Sequence, residues 1–349
     1  MPKLAVLLDT WNAHGGGLEQ YLLHVLPLIV KRGYPVLLVA ENAQSSPPAG
    51  CEAVNLTKGR WWPRPLRDKR NQQHAQHLIR QWQADSVLTM RTLAYPQSVH
   101  LPIGGSPRDI PRRKKISNRT ASLIRLEENA MSQAKLILPS SAMVEQQIDV
   151  YLNNRQQTIA LPLLESPKKL KSQFSGDNKT SLRLAHCGRD PRRHGLLEAY
   201  DWFNTIKAAR PNSTLCCFSK TQKHASSLLG KSLTQLANEG VTIRPWETGF
   251  RRVIHEFDLL LHPSLYDSFS FVCLEAAAAG VPIICSKSVG VADQLPTSIC
   301  QAIELNPSDQ QLLVAASTLL QGNHLAATQQ IHDEFSSINH VQTLLNALF

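Results

Sequence analysis

The stretch from Leu259 to Ser286, LLLHPSLYDSFSFVCLEAAAAGVPIICS, constrains this chain more than any other. An apolar run ends in His262-Pro263, and a polar turn carries Asp267. An alanine-rich run follows with a single acid, Glu275, and Gly280-Val281-Pro282 leads to the β-branched pair Ile283-Ile284. Strand, loop, helix, strand is the unit of a parallel α/β sheet. A helix starting near Phe269 puts Asp267 at its mouth and Glu275 about two turns in. The N–H groups of Ser268, Phe269, Ser270 and Phe271 then point out of the helix end, where an anion such as a diphosphate is favoured. The two acids are placed to grip hydroxyls on either side of it. Ligands of open α/β sheets bind at the carboxyl ends of strands, and this loop follows such an end. The plainer reading of the same residues is an N-cap Asp267 and an ordinary helix Glu275.

With these residues in view, the stretch resembles the signature of retaining GT-B glycosyltransferases of family four. There, two acids flank seven residues behind an H-P-S turn, as do Asp267 and Glu275 behind His262-Pro263-Ser264. The resemblance implies that Asp267 contacts the donor sugar and Glu275 the nucleotide ribose. The family usually has Glu and a glycine-rich turn at the first acid; this chain has Asp267-Ser268-Phe269-Ser270.

The chain has 349 residues, enough for two domains. No apolar run reaches the ~18 residues of a membrane span, and the start, MPKLAVLLDTWN, reads as a core strand rather than a leader. Seven scattered cysteines without a C-x-x-C spacing suit reduced thiols in the cytoplasm and no zinc site. The net charge of +10 is concentrated at Lys58–Arg70, Arg108–Arg119 and Lys168–Lys179. That charge suits an anionic partner or is simply a solvated basic surface. The basic runs lack the interleaved aromatics of a nucleic-acid platform, apart from Trp61-Trp62. No nucleic acid is expected, and an anionic membrane surface is preferred, with both tryptophans at headgroup level.

Along the chain, the strand Leu4–Leu8 leads to Gly15-Gly16-Gly17 and a helix containing Pro27, closed by Lys31-Arg32-Gly33. Three glycines between strand and helix either let backbone approach a phosphate or make a tight turn. The combination resembles the family's N-terminal glycine loop, which implies Gly16 and Gly17 as donor-side residues. The loop from Arg91 to Ser106 carries His100, and Asp109 follows. The resemblance implies acceptor-side catalytic residues in this region, so His100 and Asp109 are the candidates. Further expectations are a helix over Asp68–Trp82, strands at Lys135–Leu138 and Thr158–Leu161, a cap at Ser140 or Ser141, and a single helix over Gln222–Asn238.

After the strand Leu182–Cys187 comes Gly188-Arg189-Asp190-Pro191-Arg192-Arg193-His194-Gly195. Cations between a strand and a helix suit a diphosphate. The family has G-R…K-G here, which implies Arg189 on the diphosphate. His194 stands where the family has lysine, so Arg193 or Arg192 is expected to share its task. Trp246, after the strand Val241–Arg244, is the candidate wall for the nucleotide base.

The resemblance implies an α/β chain of the GT-B fold, two Rossmann-like domains facing across a cleft. The expected parts are an acceptor-side domain over 1–165, a linker over 166–180, a nucleotide-sugar domain over 181–330, and a C-terminal helix, 331–349, crossing back to the first domain. The implied activity is retaining hexosyl transfer from a nucleoside-diphosphate sugar, UDP-linked by preference, to a glycan or lipid-linked acceptor. The Gly-Gly-Leu-Glu start of the first helix and the basic first domain incline the resemblance toward lipopolysaccharide-core glucosyltransferases. The location implied is cytoplasmic, peripheral on the inner membrane face. No metal motif stands out, and no metal or resident cofactor is expected. A degenerate relative that binds sugar nucleotide or glycan without turnover is the alternative.

Overall fold

The computed structural model describes residues 1–56, 64–90, 92–105, 118–152, 155–171, 180–246 and 250–349. The chain forms two compact units, Met1–Leu164 with Ser337–Phe349, and Glu165–Ser336.

The first unit is built on six parallel strands: β1 Leu4–Trp11, β2 Val36–Ala43, β3 Glu52–Asn55, β4 Ser86–Thr89, β5 Val99–His100 and β6 Leu136–Ile137. Their spatial order is β3-β2-β1-β4-β5-β6. The second unit repeats the design with β7 Arg183–Cys187, β8 Thr214–Ser219, β9 Val241–Pro245, β10 Leu259–His262, β11 Ile283–Ser286 and β12 Cys300–Ile303. Its order, β12-β11-β10-β7-β8-β9, is the same 3-2-1-4-5-6 pattern read from the other edge. Both sheets are therefore of the Rossmann type. Each reverses direction between its first and fourth strands, β1/β4 and β7/β10. A crevice opens at such a reversal, outside the carboxyl ends of the two strands.

Local sequence explains most elements. Leu4 to Leu8 are apolar without alternation and are all buried, as expected of a central parallel strand covered on both faces. The helix Gly17–Lys31 buries Leu18, Tyr21, Leu22, Val25, Leu26 and Ile29 at helical spacing. Ser141 caps Ala142–Leu152, its Oγ accepting from Val144 N at 3.2 Å.

Several expectations are corrected. The run Gln222–Asn238 is two helices, Gln222–Leu229 and Leu233–Asn238. Gly230 ends the first at φ 65°, and the capping box of Ser232 with Gln235 starts the second. Thr158–Leu161 joins no ladder; a lone bridge pairs Ile137 with Gln156, and although Ile159 N donates to Pro139 O at 2.9 Å, Pro139 has no N–H to return. Strands β3, β5 and β12 were not anticipated, being short or mixed in polarity. Lys171, within the expected linker, is buried, and its Nζ donates to Phe257 O at 2.7 Å and Asp258 Oδ1 at 3.0 Å. The C-terminal run is two helices, Leu325–Glu334 and Ser337–Leu348, and the unit boundary falls between them. All seven cysteines are free thiols, and no helix among the described residues is long and apolar enough to cross a membrane.

Candidate functional site

The reversal point of the second sheet gathers the site. From β7 the chain enters Gly188–Gly195; from β10 it enters Pro263–Ser270. Gly195 caps the helix Leu196–Ala209 at φ 72°. A Cβ added there would lie 1.8 Å from the Pro263 carbonyl oxygen. Only glycine tolerates both the backbone angle and that approach. The loops are stitched together by Arg193, whose carbonyl accepts from Leu265 N at 2.9 Å and Ser264 Oγ at 3.2 Å. The Arg193 Nε donates to Tyr266 O at 3.0 Å.

This packing brings His194 to His262. His262 ends β10 and is fully buried. Its Nε2 lies 3.3 Å from Asp267 Oδ2 and 3.2 Å from Ser270 Oγ. His194 Nδ1 lies 3.8 Å from the same Asp267 oxygen. The main chain of Asp267 is pinned as well: its N donates to Ser288 O and its O accepts from Gly290 N, each at 2.9 Å. Burial raises the Asp267 carboxyl, but the His262 hydrogen bond, with His194 and Arg193 close by, outweighs it and holds the group well below the usual carboxylate range. Asp267 is an anion at neutral pH. Burial lowers His194 to about 4, so it is neutral there and a weak partner for phosphate. His186, whose ring faces that of His262, is lowered by burial to about 3.

The helix after Asp267 begins later than the sequence suggests, at Phe271–Ala278 with Ser270 as its cap. The reason is Ser270 itself. It adopts φ 77°, ψ 84°, which breaks the helical path, and its Oγ accepts from Cys273 N. The helix end is therefore at the half-buried Phe271 and Val272. Ser268 and Phe269 belong to the loop, and the Phe269 side chain packs in the core against Phe271 at 5.3 Å. Glu275 sits one turn into the helix, not two. It is buried, and Arg251 holds it: Nε at 2.7 Å and Nη2 at 2.6 Å, both on Oε1. Arg251 was missed in the sequence, because nothing local links it to Glu275. Burial raises the Glu275 carboxyl, and Arg251 only partly opposes this.

Arg189 is exposed and makes no ion pair among the described residues. Trp246 follows β9 and is 36% exposed. In the first unit, Gly16 caps and Gly17 opens the first helix, after β1 at that sheet's reversal point. His100 is not a loop residue. It lies on β5, fully buried, with Nδ1 2.9 Å from Thr89 Oγ1, and burial lowers it to about 4. Asp109, Trp61 and Trp62 lie outside the described residues.

Residues 181–321 match the family described as Glycosyl transferases group 1. The second unit carries a group 1 glycosyltransferase domain. Among curated protein sequences none matches this chain. Solved structures agree with the fold. The chain is similar to WaaG, described as a glycosyltransferase involved in lipopolysaccharide biosynthesis, with TM-score 0.76 at 16% identity over 99% of both chains. It is similar to sucrose-phosphate synthase from Thermosynechococcus elongatus, with TM-score 0.73 at 14% identity over 99% of this chain and 98% of that one. Anabaena HepE, solved in complex with UDP-glucose, gives TM-score 0.68 at 14% identity over 98% of both chains. The fold is GT-B, and in the group 1 domain it places Arg193, His194, His262, Asp267 and the Phe271 helix end at one reversal point.

Proposed function

We propose that the protein is a retaining hexosyltransferase that takes a nucleoside-diphosphate sugar, UDP-linked by preference, and glycosylates a glycan or lipid-linked acceptor in cell-surface polysaccharide or lipopolysaccharide synthesis. The observation that carries this reading is the ionised Asp267 held by His262 at 3.3 Å beside a helix end, within the group 1 domain. Asp267 is assigned to the donor sugar and Glu275 to the ribose. The departing diphosphate is assigned to Arg189, Arg193 and the Phe271–Val272 amides. Fixed donors of this kind stabilise developing charge; losing one typically costs about 10²–10³ in rate. Transfer by this route uses protein cations and needs no metal. WaaG's role in lipopolysaccharide synthesis and HepE's complex with UDP-glucose support the choice of pathway and donor by analogy. The net charge of +10 supports an anionic acceptor surface and peripheral attachment on the cytoplasmic side.

The test is calorimetric titration with UDP-glucose, UDP-GlcNAc, GDP-mannose and ADP-heptose, with products and anomeric configuration followed by mass spectrometry and NMR. One donor is expected to bind, and Glu275→Ala to weaken it by about tenfold or more. Unchanged affinity in Glu275→Ala removes the ribose assignment. A donor that binds without turnover points to a degenerate relative, a reading the neutral His194 favours.

A further inference from the structure

His194, His262 and Asp267 present three ligand atoms, Nδ1, Nε2 and Oδ2, all within 4.8 Å of one another. Two of the three separations are 3.3 Å and 3.8 Å, both measured from Asp267 Oδ2. Tetrahedral zinc, with bonds of about 2.0–2.2 Å, spaces its ligand atoms about 3.3 Å apart. One side of the triangle already has that length, and small movements of the His194 ring close the others.

We propose that His194, His262 and Asp267 form a binding site for a divalent transition cation of borderline softness, Zn²⁺ or Co²⁺, with one coordination position left open.

The chemistry of the donor set supports the choice of ion. Two imidazoles and one carboxylate are ligands for zinc, cobalt and their neighbours, whereas Mg²⁺ and Ca²⁺ take mostly oxygen. His194 Nδ1 is buried, has no hydrogen-bond partner and lies 3.8 Å from Asp267 Oδ2, so a buried polar atom beside the carboxylate is left unmatched. A cation held between the two would satisfy both groups. A cation also answers the surplus charge of Asp267. The frame is rigid where it must be. His262 is fixed by β10, Asp267 by its bridge to Val289, and His194 by the close approach of Gly195 to Pro263. A Cβ on Gly188 would lie 2.4 Å from His194 Cβ, so glycine is needed there too for His194 to sit where it does. The sequence hides this site, because its ligands come from two loops far apart in the chain.

Metal occupancy would take Asp267 Oδ2 away from a sugar hydroxyl. On the donor reading given above, the ion therefore competes with the sugar nucleotide; the binding itself does not depend on that reading.

The test uses the full chain, freed of metal by chelation and without sugar nucleotide. Co²⁺ is titrated in while visible absorption is recorded, and bound metal is counted by equilibrium dialysis. The expected result is one equivalent bound, with the strong absorption of a four- or five-coordinate site, displaced by Zn²⁺. His194→Gln and Asp267→Asn are each expected to lower the affinity by at least about tenfold. Circular dichroism identifies a variant that fails to fold, and the other then decides. Failure to take up one equivalent of Co²⁺, or equal affinity in the folded variants, overturns the proposal. Stoichiometric binding without competition from a donor keeps the metal site and removes Asp267 from the sugar.

Discussion

Arg251 holds Glu275 through two contacts on one oxygen, Oε1, at 2.7 Å and 2.6 Å. The carboxylate is 7% exposed and the arginine 35%. Arg251 also approaches Glu165 at 3.6 Å, so one guanidinium serves two acids. This pairing keeps a buried acid in position on a helix of otherwise apolar residues.

Removing the arginine should expose what it does. Arg251→Met leaves Glu275 buried without its partner, and unfolding in urea is expected to show a loss of about 1–3 kcal/mol. The double variant with Glu275→Gln should recover most of that loss. A double variant as unstable as Arg251→Met alone would mean that the pair is not the cause. Glu275 is raised above the ordinary glutamate range by burial. Its linkage term is therefore favourable at low pH and is lost as pH rises through the folded value. Glu275→Gln alone is expected to cost little stability at pH 7 while weakening donor binding.

The Lys171–Asp258 pair is buried, with Nζ 3.0 Å from Oδ1, and Asp258 Oδ2 also accepts from Arg183 N at 2.8 Å. Asp258→Ala strands a buried ammonium and an amide at the start of β7. The expected cost is about 3–5 kcal/mol, read as a lower urea midpoint. A change below about 0.5 kcal/mol would show the ion pair to be replaceable by water.

Gly195→Ala forces a side chain into left-handed backbone and against the Pro263 carbonyl. The angle alone costs about 1–2 kcal/mol, and the clash adds to it. Thermal unfolding is expected to drop, and donor affinity with it, because the same contact positions His194 and Arg193. Normal donor affinity in a folded Gly195→Ala would separate the loop from the site.

Acid should weaken the first unit through its buried histidines. His100 and His340 are each lowered by burial from 6.5 to about 4. The unfolded chain binds their protons first, so their stabilising contribution is whole above about pH 6.5 and is lost as pH falls toward 4. His340 Nδ1 donates to Ala160 O at 2.8 Å, which leaves the Nε2 of the neutral ring to accept from Tyr21 OH at 2.9 Å. The melting temperature is expected to fall between pH 7 and pH 5, and His340→Gln to fall less steeply over that range. A parallel decline in the variant would exclude His340 from the effect.

The sequence by itself determined the strand–helix alternation, the parallel sheets and the two acids of the second unit. These follow from short-range patterns: unbroken apolar runs for covered strands, helical spacing at Leu18–Ile29, and glycine and proline at the exits. The site's location at a strand end was legible for the same reason. The tertiary structure decided where the helix after Asp267 begins: Ser270 leaves the helical region at the end of a loop that Ser288 and Gly290 pin through the Asp267 backbone. It moved His100 from a loop into a buried strand, since a two-residue strand has no period to read. It paired Arg251 with Glu275 and closed His194 on His262 and Asp267. Those contacts join segments distant in the chain, and the closing of His194 on His262 turns on the reversal of strand order between β7 and β10. Sequence periodicity carries no record of which strands become neighbours; packing does.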